Sequence, residues 1–185
     1  MKREVKGTAL KDIIIGIRSD KAHIDEYNKI LSDEAKDLLN QRILTSIWYP
    51  YNIYIELYDA LIKVIAKNNT KTVIQWGREF GIKAMNTIYR NLIAEGDVKK
   101  LIQKYPRFQR MMYNFGTLTI EWLSNNEILI TSRDFENKFK MIFYSNMGWM
   151  QGAIEICIKK MVNYEFLKKS WEGDDETQYK LYWSP

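Results

Sequence analysis

Histidine and cysteine, the side chains best suited to ligate a metal or to act as base and nucleophile near neutral pH, occur once each, as His23 and Cys157. A four-ligand metal site would have to be completed by carboxylates, and a Ser-His-Asp set has a single histidine to draw on. His23 stands in a charged segment and reads as a surface residue. No Gly-x-Ser-x-Gly elbow occurs, and Gly77-Arg78-Glu79 lacks the spacing of a phosphate loop. Asp174 and Asp175 follow Gly173, where a turn explains them better than acid/base work. The sequence therefore argues against an enzyme, and it offers no set of ligands for a metal or cofactor.

Two other chemistries remain. Lys99, Lys100, Lys104, Arg107 and Arg110 have no acidic residue among them and are interleaved with Tyr105 and Phe108, a pattern able to neutralise phosphates and stack on bases. The net charge of +5 over 185 residues is low for a dedicated nucleic-acid binder, so this reading ranks third. The stronger signal is a surplus of large apolar side chains near breaks in the pattern. Flexible methionine beside rigid aromatics suits a pocket for a small apolar molecule, and Trp76, Phe80, Met112, Phe115, Trp122 and Trp149 are the expected lining residues.

The elements that must position these residues are read from periodicity. Thr8 as N-cap with Leu10, Ile13, Ile14 and Ile17 predicts a first helix ending at Ser19-Asp20, and pieces from His23 and from Ser32 or Asp33 follow. Trp48-Tyr49-Pro50 breaks the pattern ahead of a helix carrying Ile53, Tyr54, Leu57, Leu61, Val64 and Ile65, which Asn68-Asn69 stops. A helix from Thr70 or Thr72 through Trp76, Phe80, Ile88, Tyr89 and Leu92 to Gly96 comes next. Asp97 is expected to cap a short helix, and Pro106 to open another. Alternation from Thr117 to Ile130 around Ser124-Asn125-Asn126-Glu127 predicts a hairpin with a longer or less regular loop, and Lys138 to Tyr144 reads as a third strand.

The last forty residues organise the rest. Gly148 and Gly152 fall four apart on one face of a helix that also carries Trp149, Ala153, Ile156 and Cys157, so that helix should be buried and should let another backbone come close. Tyr179, Leu181 and Trp183 alternate with Gln178, Lys180 and Tyr182, as in a strand with one wet face, and the Gly-Asp-Asp turn before them signals a C-terminal hairpin. The order of elements predicts an α+β fold: an N-terminal helical layer packed on a small antiparallel sheet, with the late Gly-containing helix and C-terminal β-hairpin, all in one domain spanning 1–185.

The run from Gly173 through Asp174, Thr177, Tyr179 and Leu181 resembles the C-terminal signature of the vinyl-4-reductase domain. Lys6-Gly7, Trp48-Tyr49-Pro50, Trp76-Gly77-Arg78-Glu79 and Tyr113-x-x-Gly116 look like a related uncharacterised family found among myxobacterial paralogues. The wider group resembles haem-nitric-oxide-binding domains and subunits of the TRAPP vesicle-tethering complex. The resemblance implies a small-molecule-binding or protein-assembly module. Thr177 stands where vinyl-4-reductase domains commonly carry a cysteine, and no Tyr-x-Ser-x-Arg motif like that of the haem-binding relatives occurs.

Hydrophobic residues at 46% supply a globular core, and the apolar run Ile13 to Ile17 is interrupted too soon for a signal peptide or a membrane span. The sequence thus predicts a cytoplasmic, non-enzymatic, sensor-type module with no cofactor, dimeric, with a small apolar molecule between helices and sheet. The alternative is a TRAPP-like scaffold whose apolar surplus covers a protein partner or a second copy.

Overall fold

The computed structural model describes residues 2–87, 90, 97–135 and 138–185. It divides into two compact units, the first formed by residues 1–69 and 110–115, the second by 70–109 and 116–185. The expected helix positions at Ile88, Tyr89, Leu92 and Gly96 lie outside the described residues.

In the first unit, strand β1 (Glu4–Lys6) leads into helix α1 (Gly7–Ser19), followed by α2 (Ile24–Ile30) and α3 (Asp33–Asn40). Strand β2 (Trp48–Pro50) pairs antiparallel with β1, Val5 opposite Tyr49, and α4 (Tyr51–Leu61) continues as a π-helical turn over Ile62–Ala66. Lys67 and Asn68 then take positive φ and stop it, close to the expected end. The short β1–β2 ladder has no counterpart in the sequence pattern, because three-residue strands are too brief to show alternation.

Thr8 does not cap α1. Its hydroxyl donates to the Thr45 carbonyl, and the N-cap is Lys6, two residues earlier, with the helix beginning at Gly7, where any side chain would collide with the Leu44 carbonyl and the Tyr49 ring. Ser32 does cap α3, accepting from the Ala35 amide, while its own amide and hydroxyl donate to the Glu56 carboxylate on α4. Buried Leu10, Ile13, Ile14 and Ile17 of α1 and Ile53, Tyr54, Leu57 and Tyr58 of α4 supply core residues of this unit.

The second unit is built on a four-stranded antiparallel sheet in the order β3-β4-β6-β5, with β3 at Thr117–Ser124, β4 at Glu127–Arg133, β5 at Val162–Lys168 and β6 at Thr177–Trp183. One face carries cross-strand rows: Ile120, Ile130, Tyr179 and Phe166 form one, and Trp122, Ile128, Leu181 and Tyr164 the next. The hairpin at Asn125-Asn126 is tight, and its irregularity is a register shift between Trp122 and Ser124.

Helices α5 (Thr70–Asn86), α6 (Val98–Met112, its last three residues assigned to the first unit) and α7 (Met141–Ile158) belong to this unit in whole or in most part. Their buried residues join the inner face of the sheet in one core, including Leu101, Ile102 and Tyr105 of α6 and Met147, Met150, Ala153 and Ile154 of α7. The α+β class, the antiparallel sheet, the Gly-containing helix and the C-terminal hairpin are as expected.

Two expectations fail in this unit. Pro106 does not open a helix but lies inside α6; the face formed by Leu101, Ile102, Tyr105 and Gln109 is buried on both sides of it, and this burial carries the helix through the missing amide. Lys138 to Tyr144 contributes no strand. Met141, Ile142 and Phe143 are the buried first turn of α7, and a short apolar run cannot be told from a strand by periodicity alone.

Helices α5 and α7 cross with their backbones touching. Gly77 faces the Ser145 carbonyl, Gly81 the Trp149 carbonyl, Gly148 the Ile74 carbonyl and Gly152 the Arg78 carbonyl. A Cβ at any of the four would overlap the opposing carbonyl oxygen, so neither helix can relieve a substitution by rotating a side chain. Beside the crossing, Arg78 Nε lies 2.5 Å from Glu155 Oε2, while Glu155 Oε1 accepts the Val162 amide at 3.2 Å and Gln151 Nε2 donates to the Val162 carbonyl at 2.6 Å. The same side chains thus fix the crossing and the entry into β5. Gly81→Ala should destabilise the protein by about 3 kcal/mol or more through overpacking against backbone. Gly16→Ala on α1, whose Cβ would meet the Leu61 methyls at 3.6 Å, should be neutral or stabilise by about 1 kcal/mol. Urea unfolding midpoints of the two variants compare them directly.

Candidate functional site

The six residues expected to line one pocket divide between the units. Met112 and Phe115 belong to the first; Trp76, Phe80, Trp122 and Trp149 belong to the second. Phe115 packs edge-on against Tyr51 at 4.5 Å and Tyr113 at 5.8 Å, with the Arg3 guanidinium 5.2 Å from its ring centre. Tyr51 and Tyr54 stack at 5.7 Å, and the Tyr54 and Tyr113 hydroxyls lie 3.4 Å apart. Burial holds both of those phenols above their ordinary value, so they stay neutral and act as packing with one internal hydrogen bond.

In the second unit Trp149 is half-buried against Tyr105, ring centres 5.2 Å apart, while Ala153 and Cys157 on its stripe are buried. Trp76 is half-buried on α5, and Phe80 is 36% exposed. Trp122 meets Trp183 edge to face at 6.1 Å and lines an open pocket of about 540 Å³ together with Lys99, Gln103, Leu123, Ser124 and Asn125. Of the six expected residues only Trp122 lines this pocket. Sequence reading missed Gln103 and the hairpin tip as its partners, although the basic run on α6 and the interrupted alternation at Ser124 were the available signals.

Sequence reading also missed an aromatic cluster in this unit. Phe143, Tyr144 and Phe166 surround Trp171 at 5.2, 5.4 and 5.5 Å, and Phe166 continues to Tyr179 at 5.5 Å. Trp171 sits in a single 3₁₀ turn, Ser170–Glu172, where no periodicity marks it.

The groups able to do chemistry are dispersed. His23 Nδ1 lies 2.8 Å from Asp20 Oδ1, and Asp20 Oδ2 also accepts from the Tyr27 hydroxyl at 3.0 Å. The hydrogen bond from His23 and the one from Tyr27 hold the Asp20 carboxyl below its ordinary value of 3.8 against the effect of burial. Cys157 is buried, and burial pushes its thiol up, away from the thiolate that metal binding or attack requires. Asp174 Oδ2 accepts the Lys169 amide at 2.6 Å, which is turn chemistry. Among the described residues no three His, Cys, Asp or Glu side chains come together as a metal site, and no helix is long and apolar enough to cross a membrane.

The fold is that of the H-NOX (haem-nitric oxide/oxygen binding) proteins. The Fe(II) unliganded H-NOX protein from K. algicida superposes with a TM-score of 0.68 at 13% identity, covering 97% of each chain. A point mutant of T. tengcongensis H-NOX gives 0.66 at 14% identity, covering 97% of this chain and 98% of that one. An S. oneidensis H-NOX protein in the Fe(II)NO ligation state gives 0.65 at 11%, covering 97% and 99%. No family model matches the chain, and no curated protein matches it by sequence.

The residues present do not fit haem. The one imidazole is engaged by Asp20 on a partly exposed 3₁₀ turn, and the one thiol is a buried, protonated packing group on α7. The fold is therefore shared while the one histidine and the one cysteine are both engaged elsewhere.

Two outcomes follow from this geometry. Trp149→Ala should cost about 3 kcal/mol, the low end for a large aromatic because the ring is partly exposed, and Phe80→Ala should cost less; thermal unfolding of both checks this. Because Asp20 titrates lower in the folded protein than when unfolded, it stabilises the fold above its ordinary pKa of 3.8, and that contribution is lost as pH falls through the lower folded value. Asp20→Asn should lower stability at neutral pH and flatten the acid limb of a stability-versus-pH profile.

Proposed function

We propose that residues 1–185 act as one vinyl-4-reductase-like domain: a non-enzymatic, cytoplasmic, sensor-type module that binds a small, largely apolar organic molecule other than haem. The observation that carries this reading is the whole-chain likeness to H-NOX proteins, among them an oxygen-binding H-NOX domain related to soluble guanylate cyclases, combined with a donor set that does not suit haem. The fold is shared, the one histidine and the one cysteine are engaged elsewhere, and aromatic and methionine side chains are abundant. Trp76, Phe80, Met112, Phe115, Trp122 and Trp149 remain the proposed ligand contacts. Changing one of them would shift binding without touching a catalytic group.

A second reading, a scaffold or homodimer without ligand, draws on one feature. Strand β5 is a sheet edge, and Tyr164 and Leu167 on it, with Met161 just before it, are 39, 46 and 80% exposed. An edge with apolar side chains is a surface that a second chain can pair with.

Native mass spectrometry of the purified protein, followed by denaturing extraction into organic solvent, separates the two. The sensor reading expects a small organic mass on the protein and no Soret band, even when expression is supplemented with a haem precursor. An unliganded dimer would favour the scaffold, and stoichiometric haem would overturn the exclusion of that cofactor.

A further inference from the structure

The exposed side of α6 and the tip of the β3–β4 hairpin form a surface of which the sensor reading uses Trp122 alone. Lys99, Gln103 and Arg107 recur at intervals of four residues and so share one stripe of the helix, with exposed Lys104 beside it. Among the described residues Lys99, Lys104 and Arg107 make no ion pair, and no acidic residue occurs from Val98 through Ile120. The contrast within the same unit is clear, since Lys168, Lys180 and Arg133 on the sheet are all paired with glutamates.

The stripe leads into the pocket beside Trp122. There Lys99 and Gln103 from α6 face Trp122, Leu123, Ser124 and Asn125 from the hairpin. The Ser124 hydroxyl is taken up by Asn126, to whose side chain it donates and from whose amide it accepts, which shapes the tip. Gln103 and Asn125 bring carboxamides, which both donate and accept, to the pocket lining. Trp122 is held in place by its edge-to-face packing on Trp183. Cations spaced along a helix, an aromatic wall and carboxamides are the groups that bind backbone phosphates, stack a base and read its edge.

We propose that this surface binds single-stranded nucleic acid, with phosphates along Arg107, Lys104 and Lys99 and one unstacked base in the pocket against Trp122. The positioning follows from charge complementarity: a strand with one charge per nucleotide matches a row of unpaired cations, and the 540 Å³ pocket at its end accepts a planar ring. The proposal shares only Trp122 with the small-molecule reading, its other groups being exposed ones on α6 and at the hairpin tip.

The test is fluorescence anisotropy of the full chain with labelled single strands of about 12 nucleotides, DNA and RNA, and with a duplex of the same sequence, across a salt series. Binding to single strands is expected, weaker for the duplex, with affinity falling as salt rises. Lys99→Glu with Arg107→Glu should weaken it by about tenfold or more and reduce the log-log salt slope by about 0.7 for each phosphate no longer neutralised. Lys21→Glu with Lys29→Glu, the same charge change on the first unit, should leave it unchanged. Gln103→Ala and Trp122→Leu should weaken binding while the melting temperature of Gln103→Ala stays at the wild-type value. Absence of binding at low salt, or equal losses in both charge-reversed pairs, would overturn the proposal. Equally tight binding of polyglutamate would overturn it too and assign the surface to an acidic protein.

Discussion

The packing on which the second unit depends is the crossing of α5 and α7 at four glycines. Gly77 and Gly81 on one helix and Gly148 and Gly152 on the other place each backbone against the opposing carbonyls, closer than any side chain would allow. Close approach leaves α7 apolar on nearly all sides, buried at Met147, Met150, Ala153 and Ile154 and packed with the inner face of the sheet. Glu155 then serves two elements at once, pairing with Arg78 across the crossing and accepting the first amide of β5. A shift of one helix would therefore be transmitted to the strand register, because both are tied to the same carboxylate.

The sheet converts that arrangement into two chemically different faces. Inward rows of Ile130, Tyr179, Ile128 and Leu181 are dry, while outward Lys180 lies 2.9 Å from Glu165 and 3.4 Å from Glu127. Lys180, Glu165 and Glu127 on the outer face satisfy one another, whereas Lys99, Lys104 and Arg107 of α6 make no ion pair among the described residues. The first unit adds buried tyrosines to its aliphatic core: Tyr51, Tyr54, Tyr58 and Tyr113 are all buried, and burial keeps Tyr54 and Tyr113 neutral. Tyrosine offers area comparable to phenylalanine with a polar atom that must be placed, as the Tyr54–Tyr113 and Tyr27–Asp20 hydroxyl pairings do.

A shared fold and a donor set that does not suit haem coexist without contradiction. A fold is fixed by periodicity, close approach and core volume spread over many positions, whereas haem ligation rests on one or two donors of the right type. Here His23 and Cys157 are both engaged otherwise, one by Asp20 and one by the core. Function on such a fold has to be argued from the side chains each copy retains.

By itself the sequence determined what a local window can carry. The two-residue alternation of Tyr179, Leu181 and Trp183 appears as three inward side chains on β6, the capping of α3 by Ser32 and the stop at Asn68 are local chemistry, and Gly148 and Gly152 announced a close approach because their spacing puts them on one helix face. Which backbone approaches was decided only in three dimensions. Gly77 and Gly81 stand four apart just as Gly148 and Gly152 do, a signal sequence reading passed over, and nothing near them in the chain names α7 as their partner. In the same way, burial carried α6 through Pro106 and made a helix of Met141 to Tyr144, and it sorted the large aromatics into half-buried Trp149, pocket-lining Trp122 and exposed Phe80. Burial and close packing belong to pairs of segments far apart in sequence, so their energy enters only when those segments meet, and no window of the chain contains both members.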